Sequence, residues 1–223
     1  MKLLNVTMAR AIWLFDIRDM NPKGKSIFPD LLDWLKDEYH FQKFPKSTAE
    51  VDQHGGLVFS EGDFQVKEEI FIDVALSIYN DGLVATTQSS TDESELFLEN
   101  VLDLARKEFS LIFDNSMIRR KMYLSEVNVK MDGSLDRINP NLEEISGKLS
   151  SASGLESTCG FQLSGLIFGV DMTALPLSKQ FFSGFALERK AGAPFSENRF
   201  WSKAPLSTGK HLELLTDLEK TIV

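Results

Sequence analysis

The sequence predicts an α+β fold, a mixed β-sheet of about eight strands with about four helices, as one compact domain over residues 1–223. Three observations carry this. A strictly alternating run, Ile70, Ile72, Val74, Leu76 and Ile78 against Phe71, Asp73, Ala75, Ser77 and Tyr79, leads straight into Asn80-Asp81-Gly82. Alternation puts successive side chains on opposite faces of a strand, and the turn sequence favours a hairpin back through Leu83 to Thr87. Ser90-Thr91-Asp92-Glu93 has capping-box spacing, and Leu98, Val101, Leu102, Ala105, Phe109 and Ile112 then repeat at helical period. Finally, a hydrophobic fraction of 43% that includes 17 Phe supplies the apolar surface needed to offset chain entropy.

Taken in order, the elements begin with a strand at Ala11 to Ile17, whose two apolar faces suit coverage on both sides. The stretch before it has Arg10 inside its apolar run and no small-residue cleavage site, so it reads as strand and not as a leader. Asn21-Pro22-Lys23-Gly24 turns the chain into an amphipathic helix from Phe28 to Tyr39, with Pro29 in its first turn. A polar loop runs from Lys46 to Gly56. After the hairpin and the second helix come a strand at Met122 to Met131, a short helix after Asn139-Pro140, and a Ser/Gly-rich loop from Ser150 to Gly160. Strands at Phe161 to Met172, Phe181 to Lys190 and Arg199 to Ala204 follow. A last helix from about Thr208 carries Leu214, Leu215, Leu218 and Ile222 on one stripe.

Written as elements, the chain reads β-α-β-β-β-α twice, which raises an internal duplication with pseudo-repeats 1–115 and 116–223. A constant offset of 111 sets Met20 on Met131, Ile27 on Ile138, Pro29 on Pro140, Phe71 on Phe182, Ala75 on Ala186 and Leu76 on Leu187. A six-residue adjustment sets Ser90-Thr91 on Ser207-Thr208. The competing explanation is that any strand-turn-Pro-helix segment repeats such features.

Charge narrows the partners. A net charge of −9 repels phosphate backbones and anionic lipid, and the longest basic cluster is only Arg119-Arg120-Lys121, so nucleic acid is set aside. No stretch approaches the roughly 18 apolar residues of a spanning helix, so no membrane partner is expected. The single Cys159 suits a reducing compartment, which makes the expected location cytoplasmic.

Motifs for cofactors are sparse. Gly209-Lys210 lacks the upstream Gly of a phosphate loop, and Gly165 with Gly169 falls inside a predicted strand. One Cys and three scattered His (His40, His54, His211) do not make a zinc site, and no Ser sits in a nucleophile elbow. Asp16 reads as a strand-end ion pair with Arg18 or as a turn acceptor. A hard-cation site has one arrangement available, in which a hairpin brings Asp171 near Glu188 while Glu188 and Lys190 share a face. Over about twenty residues this resembles the Asp…Glu-x-Lys pattern of restriction-endonuclease-like nucleases. The resemblance implies a metal-dependent hydrolase in which Asp171 and Glu188 hold Mg²⁺ or Mn²⁺ and Lys190 steadies developing charge.

Aromatic loops point elsewhere. The segment from Ala193 to Trp201 gathers Phe195, Arg199, Phe200 and Trp201 near turn residues, and aromatic and Arg side chains dominate interface hot spots. Tyr39 to Phe44 has the same character. The leading expectation is a non-catalytic protein-binding accessory or adaptor subunit of a larger assembly, contacting a protein partner through Phe195, Arg199, Phe200 and Trp201 and needing no cofactor. The hydrolase and a small-molecule sensor with a pocket between the two halves stand as alternatives.

Overall fold

A computed structural model describes residues 1–21, 23, 24, 27–52, 54–154, 160–171, 173 and 183–222. The elements are β1 (Lys2–Leu14), α1 (Phe28–Glu38), β2 (Leu57–Lys67), β3 (Ile70–Tyr79), β4 (Gly82–Thr87), α2 (Thr91–Phe109), β5 (Arg120–Lys130), α3 (Pro140–Ala152), β6 (Gly165–Phe168), β7 (Phe185–Arg189), β8 (Arg199–Ala204) and α4 (Thr208–Lys220). The strands form one antiparallel sheet in the order β2-β3-β4-β1-β5-β8-β7-β6. The expected mixed sheet is therefore corrected to an antiparallel one. The helical crossover from β1 leads to β2, which is not its neighbour, while the adjacent pairs β2-β3 and β3-β4 are joined by tight turns, and tight turns reverse the strand.

The chain divides into two compact units. The Trp13 unit comprises Thr7–Ser125 and Leu206–Thr208; the Phe200 unit comprises Met1–Val6, Glu126–Pro205 and Gly209–Val223. Among the described residues no helix is long and apolar enough to cross a membrane.

In the Trp13 unit the predicted hairpin forms, with Tyr79 opposite Gly82 across Asn80-Asp81, so that Gly82 already belongs to the return strand. Gly82 is required there because a Cβ would overlap the Trp13 carbonyl oxygen. β1 is longer and earlier than predicted. It ends at Leu14 because the Asp16 carboxylate caps a 3-10 turn at Ile17–Met20, accepting from the Arg18 N–H at 3.0 Å and from its guanidinium at 3.0 and 2.7 Å. Those bonds hold the Asp16 carboxyl down at about 2. The core is aromatic: Tyr39 meets Phe97 edge to face at 5.0 Å, and its hydroxyl donates to Asn100 at 2.8 Å. Ser90 caps α2 by accepting from the Glu93 N–H at 3.1 Å, as the capping box predicts. The helix stops at Phe109, where Ser110 takes the left-handed conformation, so Ile112 lies outside it and is exposed.

The outer edge of β2 is covered by its own chain. Gln42 and Lys43 donate backbone N–H groups to Glu61 and Ser60, Ser60 donates back to Lys43, and Asp63 donates to Tyr39. The predicted interaction segment Tyr39 to Phe44 is thus largely structural, with Tyr39 and Phe41 buried.

The Phe200 unit packs Val127, Val129 and Met131 of β5 and its end, Leu187 of β7, Phe200 of β8, and Leu215 and Ile222 into a second core. The N-terminal ammonium is tied to Glu219, and Asp132 lies 3.7 Å away. α3 runs on to Ala152, beyond the start of the predicted loop. Residues 155–159, Cys159 among them, lie outside the described residues, as do Met172 and 174–182, where ends of two predicted strands fall.

Candidate functional site

The end of the sheet at β6 is built by a short register with β7. Gly165 stands opposite Glu188, Leu166 opposite Leu187, Ile167 opposite Ala186, and Phe168 opposite Phe185. Just before the strand, the Arg189 N–H donates to the Ser164 carbonyl at 2.8 Å. Inward and outward groups alternate along an antiparallel strand, so Leu166 and Phe168 turn their N–H and C=O toward β7. Gly165 and Ile167 turn theirs to the outer edge. Among the described residues β6 has no second neighbour.

Side chains follow the same alternation. Leu166 packs on the core with the fully buried Leu187, and the Phe168 ring lies 5.9 Å from that of Phe185. Ile167 is on the opposite face. Ile167 is 73% exposed and Phe168 62%, the highest values among the large exposed hydrophobics, and Val170 is exposed beyond them. From Phe161 to Val170 the chain has neither charge nor proline, the devices that natural sheets use to blunt an edge. An acidic residue stands at either end: exposed Glu188 beside Gly165, and exposed Asp171 past Phe168.

The lead-in to this edge is fixed by Arg189. Its side chain is buried, and its guanidinium donates to the Leu163 and Phe195 carbonyls at 2.9 and 2.8 Å, to Ser134 Oγ at 3.1 Å and to Asp136 at 3.3 Å. The Phe195 and Phe200 rings lie 4.3 and 5.5 Å from it. Burial pulls the guanidinium pKa down and Asp136 pushes it back up. Asp136 also accepts from the Leu163 N–H at 2.9 Å, which anchors both backbone groups of Leu163.

The residues expected to touch a partner are distributed differently from the expectation. Phe200 is corrected outright: it is 0% exposed, since β8 buries alternate residues Phe200, Ser202 and Ala204. Phe195 is partly exposed but lies on Arg189, and Arg199 is exposed with Glu197 at 3.5 Å. Trp201 is half-buried opposite Glu188.

The proposed cation trio is not assembled either. Because Gly165 pairs with Glu188 and Phe168 with Phe185, Asp171 lies past the far end of the hairpin from Glu188. The strand between spans about 10 Å at roughly 3.3 Å per residue, and Asp171 is three residues further on. Its carboxylate accepts from the Thr173 N–H and hydroxyl at 2.9 and 2.6 Å. Lys190 lies beyond β7, its N–H on the Arg199 carbonyl. Among the described residues no three His, Cys, Asp or Glu side chains are grouped to hold a metal ion.

Among the described residues Ser202 and His211 form a Ser–His pair, and its hydrogen bonding is that of a structural contact. Ser202 Oγ donates to the Ala186 carbonyl at 2.8 Å, so its contact with His211 Nε2 at 2.9 Å is accepted from the ring N–H. Both residues are fully buried, and burial pushes the imidazole pKa down to about 4. A neutral ring that donates to the serine cannot take its proton. No family model matches the chain, and no curated protein matches it.

Proposed function

We propose that this chain is a non-catalytic protein-binding accessory or adaptor subunit of a larger assembly, and that it recruits its partner by strand addition at the β6 edge. The observation that supports this is the uncharged outer edge itself, with Ile167 and Phe168 exposed on its two faces and the Ile167 N–H and C=O turned outward. In strand addition main-chain bonds give affinity and alternate side chains give specificity. The occupant is a different protein bearing an extended apolar segment with Lys or Arg on its flanks, because the edge is flanked by Glu188 and Asp171 and the net charge of −9 opposes a second copy. A cytoplasmic location goes with this reading, supported by the lone Cys159.

Ile167→Pro tests it, because proline removes an N–H that β7 does not use and fixes the edge against pairing. The expected result is loss of the co-purifying partner with the melting temperature unchanged, whereas Leu166→Pro, which breaks the β7 ladder, destabilises the fold. A partner retained by folded Ile167→Pro, or a dimer of this chain in sedimentation that Ile167→Pro dissolves, overturns the reading.

We infer further that the two halves derive from a duplicated β-α-β-β-β-α unit. Supporting it, Thr91 and Thr208 stand 117 apart at the starts of α2 and α4, and each donates its N–H to the other's hydroxyl, at 3.0 and 2.9 Å. At that offset Leu98 matches Leu215 and Ala105 matches Ile222, all buried, while the strands β3 and β7 keep the offset of 111 through Leu76 and Leu187, also buried. The change of offset falls where β7 and β8 are joined by a longer loop than Asn80-Asp81.

A further inference from the structure

The Trp13 unit contains a cavity of about 300 Å³ between the Ile17–Met20 turn, α1 and α2. Its walls include Met20, Leu35, Leu83, Val101 and Ala105, all buried. Protein interiors rarely leave voids larger than a water molecule, and ligand pockets start at about this volume. The space persists here because α2 presents Val101 and Ala105 to it where a larger side chain would close it. Three polar residues, Arg18, Asn21 and Asn80, stand on the lining, and among the described residues Arg18 is its one charged member.

We propose that this cavity binds a neutral, medium-chain aliphatic molecule with a single hydrogen-bonding head group. Volume sets the length: at about 30 Å³ for each water-sized group, the cavity holds about ten such groups. Charge sets the head. The Arg18 guanidinium is already engaged, through two nitrogens, by the Asp16 carboxylate at 3.0 and 2.7 Å, so among the described lining residues no uncompensated cation meets a carboxylate or phosphate. The net charge of −9 adds long-range repulsion of anions. A hydroxyl or carbonyl can instead hydrogen-bond to the amides of Asn21 and Asn80 or to water at the opening. Sugars and nucleotides are excluded, since the walls would leave their polar groups unpaired. All of these residues lie in the Trp13 unit, whereas β6 belongs to the Phe200 unit.

The probes are decan-1-ol and decanoate, titrated into the full chain at pH 8 by calorimetry and followed by thermal shift. The expected result is saturable binding of decan-1-ol at one site per chain with a rise in melting temperature, and decanoate at least about tenfold weaker. Ala105→Phe fills the cavity, so it should lose decan-1-ol binding by more than about tenfold while the unliganded protein melts no lower. Val101→Leu, which adds one methylene, serves where Ala105→Phe fails to fold, and it should weaken binding of the C10 alcohol more than that of butan-1-ol. Absence of decan-1-ol binding to the wild type overturns the proposal. So does equal affinity for decanoate, or unchanged affinity in a folded filling variant.

Discussion

Acidification should destabilise this protein through one residue whose cost can be worked out in advance. His211 on α4 is fully buried, donates through Nε2 to Ser202, and has its pKa pushed down to about 4 by burial, with the Phe185 ring 6.2 Å away. In the unfolded chain the imidazole titrates at about 6.5. The folded value is the lower one, so the neutral ring contributes stability that is complete above about pH 6.5 and is lost as pH falls toward 4. Between those limits the unfolded state binds a proton the folded state refuses, and stability drops by about 1.4 kcal/mol per pH unit, about 3 kcal/mol in all. Urea unfolding at pH 7, 6, 5 and 4.5 measures the slope, with His211→Gln as reference because the amide can still donate to Ser202 but does not titrate. Carboxylates contribute equally to both proteins, so the difference curve isolates the ring. The wild type should lose about 2.5 kcal/mol more than His211→Gln over this range; parallel curves would refute the buried neutral assignment.

Other perturbations test the packing. Thr91→Ala and Thr208→Ala each remove a hydroxyl that accepts a buried helix-start N–H, and each should cost about 1–2 kcal/mol by denaturant unfolding. Similar values for the two would fit repeated units, whereas a large cost confined to one position would count against them. Phe200→Ala should cost about 3–5 kcal/mol as a core truncation, and a near-neutral result with lost partner binding would instead restore Phe200 to an interface.

The legible parts of the fold were those in which local pattern and tertiary contact agree. The hairpin from Ile70 to Thr87 and the capped helix at Thr91 have both an unbroken period and the turn or cap residues that close it. β2 had no such period: Glu61 takes a positive φ of 57° beside Gly62, and the register shifts between Phe59 and Gly62, which moves later side chains to the other face. β6 was overextended because its apolar run continues on both sides of the four residues that pair, while the Leu163 N–H is diverted to Asp136. For the candidate site, alternation along Arg199 to Ala204 already places Phe200 on the face of Ser202 and Ala204, a period-2 signal that aromatic clustering obscured. The exposed edge had its own signal in the uncharged run from Phe161 to Val170, but only the sheet order reveals that this run lies outermost.

The two ends of the sheet differ in a way that makes Arg189 the residue on which the β6 edge depends. β2 is shielded because the chain from Tyr39 to Lys43 runs along it and takes up its outward groups. The chain entering β6 is instead drawn inward: Leu163 is held at both its N–H and its C=O by Asp136 and Arg189, and Ser164 by the Arg189 backbone. That anchoring sets the alternation that turns Ile167 outward. Arg189→Met keeps the volume of the side-chain stem but leaves the Asp136 carboxylate and the Leu163 and Phe195 carbonyls without the guanidinium, so it should destabilise the protein by about 3–5 kcal/mol. Arg189→Lys keeps the charge but not the planar fork that reaches four acceptors, and should recover only part of that loss. Hydrogen exchange distinguishes this from a general loss of stability. In Arg189→Lys the amides of Leu166 and Phe168 should exchange faster while those of β3 and β4 keep their protection, and partner binding should weaken together with β6. Uniform acceleration across both units would mean that Arg189 supports the whole fold and does not specifically hold the edge.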